Sequence, residues 1–495
     1  QKQYLIAMGI IARQSFYNIL SILFAFALGG INTIVFYPRV IGPEFHGLIG
    51  ALLANSNIIQ PLFAYGIQFT IIKYYSACTS KREQDNLLVF SILLPLVVIL
   101  PLVGLVYQYD FISAFVFSED SPAGDFLFLI FSIATATAYF EIFYSWLRIQ
   151  KKTVFGNFLK EVYQRVMITV LLTFYFLGWL DFDGFIVALI VGYFLRLLLI
   201  VSYALWVYRP EVHFELPENL KVLLRYCSYI FLTGFSASII LDLDKSMIEQ
   251  LLKPEYVSFY MVAIFIAAVI DAPSRAMVQI VSPMVAEALN TKNSVRLEEL
   301  LKRSSLNLLL VSGLLFVLIT TNLDDIYRLI ELLNAQQGYA AGLPIILLIS
   351  FSKLFSASLG CLNNIITNSE YYRYLLIFSV AAASLAVILN IQFIQSYGFV
   401  GAALATLIVV TLFNFLKIVL VYSKFKIHPF GIKSIWVLLL ILILYGVFFN
   451  INLDFHPILS VTIKATLVGA LYLGVSYFLG LSEEVNRVID RLLKK

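Results

Sequence analysis

Residues 234–283 read GFSASIILDLDKSMIEQLLKPEYVSFYMVAIFIAAVIDAPSRAMVQIVSP, and this stretch decides the fold class. It holds two apolar helices joined by a short polar link. The first is expected over about 226–241 and closes on Asp242, Asp244 and Lys245. The second is expected over 257–284 and carries Asp271 and Arg275 near its middle. Crossing the hydrocarbon core takes a helix of about 20 apolar residues, and both stretches are close to that length. Asp271 and Arg275 stand four apart, so they share a helix face, which Gln279 continues. A charge at mid-bilayer costs at least about 2.5 kcal/mol, so that face is expected to meet a protein interior or a water-filled cavity.

The rest of the chain has the same character. Of its 495 residues, 61% are hydrophobic and only 13% charged. Mean hydropathy is +0.90. Apolar runs of spanning length recur from residues 15–36 to 458–480, about 14 in all. The expected class is an all-α polytopic membrane protein; a membrane barrel would show short alternating segments instead. The runs at 48–72 and 257–284 are long enough to tilt or to extend beyond the bilayer. A net charge of +4, spread over the loops, excludes a nucleic-acid surface. Cys78, Cys227 and Cys361 are too far apart for a metal or redox motif. His46, His213, His428 and His456 read as isolated loop residues. No cleavable leader is legible, so the first span is expected to direct its own insertion, with Met8 a candidate start.

Basic residues set the expected orientation. Lys81, Arg82, Arg148, Lys151, Lys152, Lys292, Arg296, Lys424 and Lys426 fall in one set of loops, whereas Asp110, Glu119, Asp181, Asp324 and Asp454 fall in the alternate set. Both termini are therefore expected in the cytoplasm. The tail from Ser482 reads as an amphipathic surface helix. A faint repeat divides the chain. Pro43-Glu44-Phe45 recurs 211 residues on as Pro254-Glu255-Tyr256, and Gly184 and Gly401 align at an offset of 217. Parallel repeats of this kind build one class of transporter. The expected domains are a six-helix lobe over 1–210, a second over 211–428, and a helix pair with its tail over 429–495.

Ionisable residues inside spans are the candidate functional groups. Arg196, Asp271, Arg275 and Lys353 are placed near mid-membrane. Arg13, Lys73, Glu141, Lys160, Glu161, Arg165 and Lys417 lie toward the cytoplasm; Asp242, Asp244, Lys245 and Lys464 lie toward the outside. Most are basic, and Arg and Lys bind phosphate by charge and hydrogen bonding. Blander roles stand beside this one. Arg13, Lys73 and Lys417 can snorkel to the interface. Asp271 and Arg275 can neutralise each other, Lys160, Glu161 and Arg165 can open a cytoplasmic helix, and Asp242, Asp244 and Lys245 can form a wet helix end. No phosphate-cradling loop, zinc-ligand run or nucleophile elbow occurs, so no catalytic residue and no metal site is expected.

Tyr37-Pro38-Arg39-Val40-Ile41-Gly42-Pro43-Glu44-Phe45-His46-Gly47 resembles the R-x-L-G-P-E-x-Y-G turn after the first span of Wzx-type polysaccharide flippases. Gly66, Lys73, Pro283 and the run Asp244-Lys245-Ser246-Met247-Ile248 resemble further positions of that family. The resemblance covers essentially the whole chain and implies the multidrug/oligosaccharidyl-lipid/polysaccharide exporter superfamily. It implies two six-helix lobes around a central cavity plus a C-terminal pair, working by alternating access. The implied cargo is an undecaprenyl-pyrophosphate-linked oligosaccharide, moved across the bacterial inner membrane. The resemblance implies a cationic cavity, for which the candidate residues are Arg275, Lys353, Arg196, Lys245, Arg13 and Lys73. Asp271, Asp244 and Glu141 are implied as ion-pair partners or as sites of proton or sodium coupling, with no other cofactor. The implied partners are the polyprenyl-pyrophosphate glycan lipid, membrane lipid and glycan polymerase or ligase machinery. Val40-Ile41, Phe45-His46 and Lys73 depart from the commoner residues. The first span has no arginine beyond Arg13, which departs from the lipid II flippase branch. The rival functions are a multidrug cation antiporter of the same superfamily, a membrane-embedded glycan polymerase or ligase, and a non-transporting scaffold.

Overall fold

A computed structural model describes residues 24–108, 122–212, 216–217, 219–334, 338–451 and 453–493. Arg13, Met8, His213, Asp110, Glu119 and residues 15–23 of the first expected span lie outside the described residues. Among the described residues, 11 helices are long and apolar enough to cross a membrane. Two shorter apolar helices, Phe24–Val40 and Ile432–Phe448, join them. The run expected at 154–176 is also helical, but a π-helical turn at Leu159–Tyr163 interrupts it. The 14 spans expected from the sequence are thus each represented by helix.

The first compact unit ends at Ser258. In chain order its helices are α1 (Phe24–Val40), α2 (Gly42–Ala64), α3 (Ile67–Tyr74), α4 (Lys81–Gln108), α5 (Leu127–Ile149), α6 (Thr153–Phe158), α7 (Gln164–Phe176), α8 (Phe182–Val207) and α9 (Leu220–Leu251). The helix α10 (Pro254–Ala268) begins here. The repeat marks helix starts: Pro43 sits in the first turn of α2, and Pro254 opens α10. Proline suits that position because its missing N–H is one that a helix start leaves unbonded anyway. The second span is broken where Tyr65 and Gly66 both take the left-handed conformation. At Gly66 a Cβ would lie 2.6 Å from the Cys227 carbonyl oxygen, so only glycine lets α9 approach this break.

Apolar clusters fill the first unit, two of them large. One joins Leu48, Leu52, Ile130, Leu172, Phe185 and Leu189; the other joins Ile67, Ile71, Leu88, Phe140, Trp146 and Cys227. The repeat puts the division between lobes at residue 210, whereas the packing boundary comes later, because α9 lies along α2.

The second unit starts at Phe259. It continues with α11 (Ala272–Asn290), α12 (Ser294–Thr320), α13 (Leu323–Asn334), α14 (Leu343–Ser358), α15 (Leu362–Asn368), α16 (Arg373–Tyr397), α17 (Phe399–Phe425), α18 (Ile432–Phe448), α19 (Pro457–Phe478) and α20 (Glu483–Leu493). The eighth span is broken like the second: a 3-10 turn at Val269–Asp271 separates α10 from α11, with Pro273 in the first turn of the latter. Phe182 and Phe399 open α8 and α17 at the repeat's offset of 217. The C-terminal pair packs on α12 through Val437, Ile441, Val468 and Tyr472, and the Tyr472 hydroxyl donates to the Leu310 carbonyl at 2.9 Å. Elsewhere α18 exposes Ile435, Trp436, Leu439, Leu442 and Ile443, an apolar face suited to hydrocarbon. The amphipathic tail helix is present as α20, held by a 2.7 Å bond from the Tyr477 hydroxyl to Asp490.

Candidate functional site

In the first unit the central charge is Arg196, on α8. It is 3% exposed and its guanidinium lies 3.8 Å from the Phe140 ring centroid. Its Nη1 is buried with no hydrogen-bond acceptor. Burying a guanidinium this way is costly unless something anionic completes it. The carboxylates whose fields reach it are Glu141 on α5 and Glu161 in the π-helical turn. Both are occupied. Glu141 accepts from Lys160 at 2.7 Å, and Glu161 lies 3.6 Å from Arg165. The π turn inserts one residue, which brings Lys160 over Glu141 and Tyr163 to the Gly192 carbonyl at 3.0 Å. Three cations thus face two carboxylates, and the cation left over is the deepest one.

Asp242, Asp244 and Lys245 do not form a wet helix end. The seventh span runs on to Leu251 as α9, and both carboxylates are buried inside it. The reason is pairing and packing. Lys245 bonds Asp242 one turn back, and Ser246 donates to Asn55 Oδ1 on α2 at 2.6 Å. The same helix end buries Glu249, which no motif or spacing singled out. Lys73, at the end of α3, is exposed and lies 3.9 Å above the Tyr226 ring.

In the second unit Asp271 and Arg275 flank the break between α10 and α11 instead of sitting inside one continuous helix. Arg275 Nε is 3.9 Å from Asp271 Oδ2, and its side chain is 56% exposed. The Gln279 side chain lies outside the described residues. Lys353 is half-buried on α14 and forms no ion pair among the described residues. The most deeply buried ion pair described in this unit was not legible as a pair. Lys464 on α19 bonds Asp325 on α13 at 2.8 Å, and Ser460 donates to the same carboxylate at 2.6 Å. Two residues on, burial pushes the Tyr327 hydroxyl above its ordinary range, and no partner receives its proton.

His46 is not the loop residue expected from the sequence. Gly42-Pro43 opens α2 rather than a turn, and His46 is buried in that helix. The three cysteines are free, and two of them, Cys227 and Cys361, are buried. Among the described residues no group of three His, Cys, Asp or Glu is placed to hold a metal.

A family model described as polysaccharide biosynthesis protein matches residues 11–290. Among solved structures, the fold matches the lipid II flippase MurJ in an inward-closed conformation. That match has a TM-score of 0.72 at 17% identity and covers 92% of this chain and 98% of that one. It also matches an inward-facing multidrug resistance MATE transporter of the MOP superfamily, at TM-score 0.60 and 14% identity over 85% of this chain and 95% of that one. A third match is a complex of the MATE multidrug transporter DinF-BH, at 0.55 and 15% identity over 83% and 95%. No match was found among curated proteins. The fold is that of a polytopic helical membrane protein, shared with these solved transporters. Within that class, the chain belongs to the polysaccharide biosynthesis protein family, whose model spans more than half of it.

Proposed function

We propose that the protein flips an undecaprenyl-pyrophosphate-linked oligosaccharide, the repeat unit of an O-antigen, capsule or exopolysaccharide, across the bacterial inner membrane. Membership of a polysaccharide biosynthesis family on a flippase-type fold carries the reading. The cargo's pyrophosphate needs cations that are not already spent on protein carboxylates. Arg196 and Lys353 meet that condition best, because neither forms an ion pair among the described residues. Arg275, with its long contact to Asp271, comes next. Lys245 and Lys73, each engaged locally, and Arg13 complete the proposed set. Asp271, Asp244 and Glu141 are the proposed sites of proton or sodium coupling. Transport would work by alternating access, which a ligand biases only through its differential affinity for the two states. Both termini would lie in the cytoplasm, with glycan polymerase or ligase machinery receiving the product.

The test is complementation of a deletion strain with Arg196→Ala and Lys353→Ala. Loss of surface glycan with normal membrane levels of each variant is expected. Normal glycan from both variants would reject the cation assignment. The MATE-like fold also admits a drug antiporter. That reading favours an acidic cavity, and altered drug resistance in the deletion strain would support it instead.

A further inference from the structure

His46 is held by two elements at once. It is 1% exposed in α2, and the Tyr37 ring stacks on it at 4.5 Å with 15° between the planes. Its Nδ1 is 2.7 Å from the Ser258 hydroxyl on α10. Its Nε2 is buried with no hydrogen-bond partner. One residue on, Gly47 brings the two helices into backbone contact. A Cβ there would sit 1.7 Å from the Pro254 carbonyl oxygen. The imidazole is therefore sealed by the start of α10, and it stays sealed only while that junction is closed.

The surroundings suit a neutral ring. An imidazolium donates from both nitrogens, and here one nitrogen has no acceptor. The charged and titratable groups of the neighbouring elements include Tyr37 and Arg39 on α1, Glu44 on α2, Asp125 in the 3-10 turn before α5, Asp242, Asp244, Lys245 and Glu249 on α9, and Lys253, Glu255 and Tyr256 beside the start of α10. The one described hydrogen bond of His46 is to Ser258, and its Nε2 meets no acceptor. Burying a cation without a counter-charge is costly, so a protonated His46 resists closure.

We propose that His46 is a proton-binding residue, and that closing α2 on α10 requires release of its proton. The inference rests on the transporter reading, in which such junctions separate and rejoin in each cycle. When α10 draws away, Nδ1 loses Ser258, water reaches the ring and it takes a proton at the ordinary imidazole value of about 6.5. Closure returns that proton to solvent. One proton is thereby linked to each closure, so the closed fraction depends on the pH of the solvent that the junction faces.

The test is a distance measurement on the full chain in lipid nanodiscs, with spin labels at Glu44→Cys and Lys253→Cys after Cys78, Cys227 and Cys361 are changed to Ser. Both label sites are exposed. The ratio of the longer to the shorter distance should rise about tenfold per pH unit below about 6.5. His46→Asn, which keeps a group for Ser258 and does not titrate, should abolish that rise; His46→Gln serves the same purpose should the first variant fold poorly. Ser258→Ala should keep the rise. A wild-type ratio constant from pH 8 to 5, or an unchanged rise in both His46 variants, would overturn the proposal. The measurement uses the protein without cargo, so it stands or falls separately from the identity of the glycan lipid.

Discussion

Lys464 and Asp325 form a 2.8 Å ion pair with both side chains only 3% exposed, tying the last long helix of the second unit to the short helix α13. Ser460, one turn ahead of Lys464, fills a second acceptor position on the carboxylate, and Arg328 lies 3.9 Å from its other oxygen. Such a pair is weak evidence of net stability, because removing two charges from water costs about what their attraction returns. Breaking it is another matter.

Lys464→Ala should destabilise the second unit by about 3 to 5 kcal/mol, because it strands a buried carboxylate. The double variant Lys464→Met with Asp325→Leu should recover most of that loss. Thermal unfolding in detergent checks both. Equal Tm values for the single and double variants would show that the pair does not bear on stability.

Gly66→Ala should be among the most damaging small substitutions in the first unit. It adds a side chain at a φ of 71° and drives a methyl group against the Cys227 carbonyl. The left-handed conformation alone costs a non-glycine residue about 1 to 2 kcal/mol. The monodisperse fraction after purification should fall. An unaltered Tm would mean that the break between α2 and α3 relaxes freely.

The bond from Ser246 to Asn55 links α9 to α2. Polar bonds between membrane helices average only about 0.6 kcal/mol, because the separated helices find other partners. A double-mutant cycle of Ser246→Ala and Asn55→Ala should return a coupling near that figure. A coupling above about 2 kcal/mol, beyond the largest measured for such bonds, would indicate a network reaching past the two residues.

Glu141→Gln should free Lys160 and weaken the field at Arg196, two changes in the same direction. Affinity for an anionic cargo should rise while turnover falls, since release becomes harder. Matched glycan-lipid binding and export assays in vesicles would show this split. A parallel loss of both would assign Glu141 a purely structural role.

The spans were legible in the sequence because a 20-residue apolar run has few ways to exist except across a bilayer. The repeat's Pro43 and Pro254 fall at helix starts, and Gly184 and Gly401 lie two residues inside the starts of α8 and α17. What failed was local polarity read without partners. Asp242, Asp244 and Lys245 resemble a solvated end until the neutralising i, i+3 contact and the α2 surface are seen. Asp325 reads as a loop acid until α19 brings Lys464 to it. His46 had a usable signal that went unread. Gly42 followed by Pro43 is the start of a helix, which places the histidine within its first turns and not in a loop.

The most direct test of the flippase account is the pool of lipid-linked glycan in a deletion strain, extracted and sized by mass spectrometry. Build-up of an undecaprenyl-pyrophosphate oligosaccharide on the cytoplasmic side is the predicted result, and its mass identifies the cargo. An unchanged pool together with normal surface glycan would contradict the account.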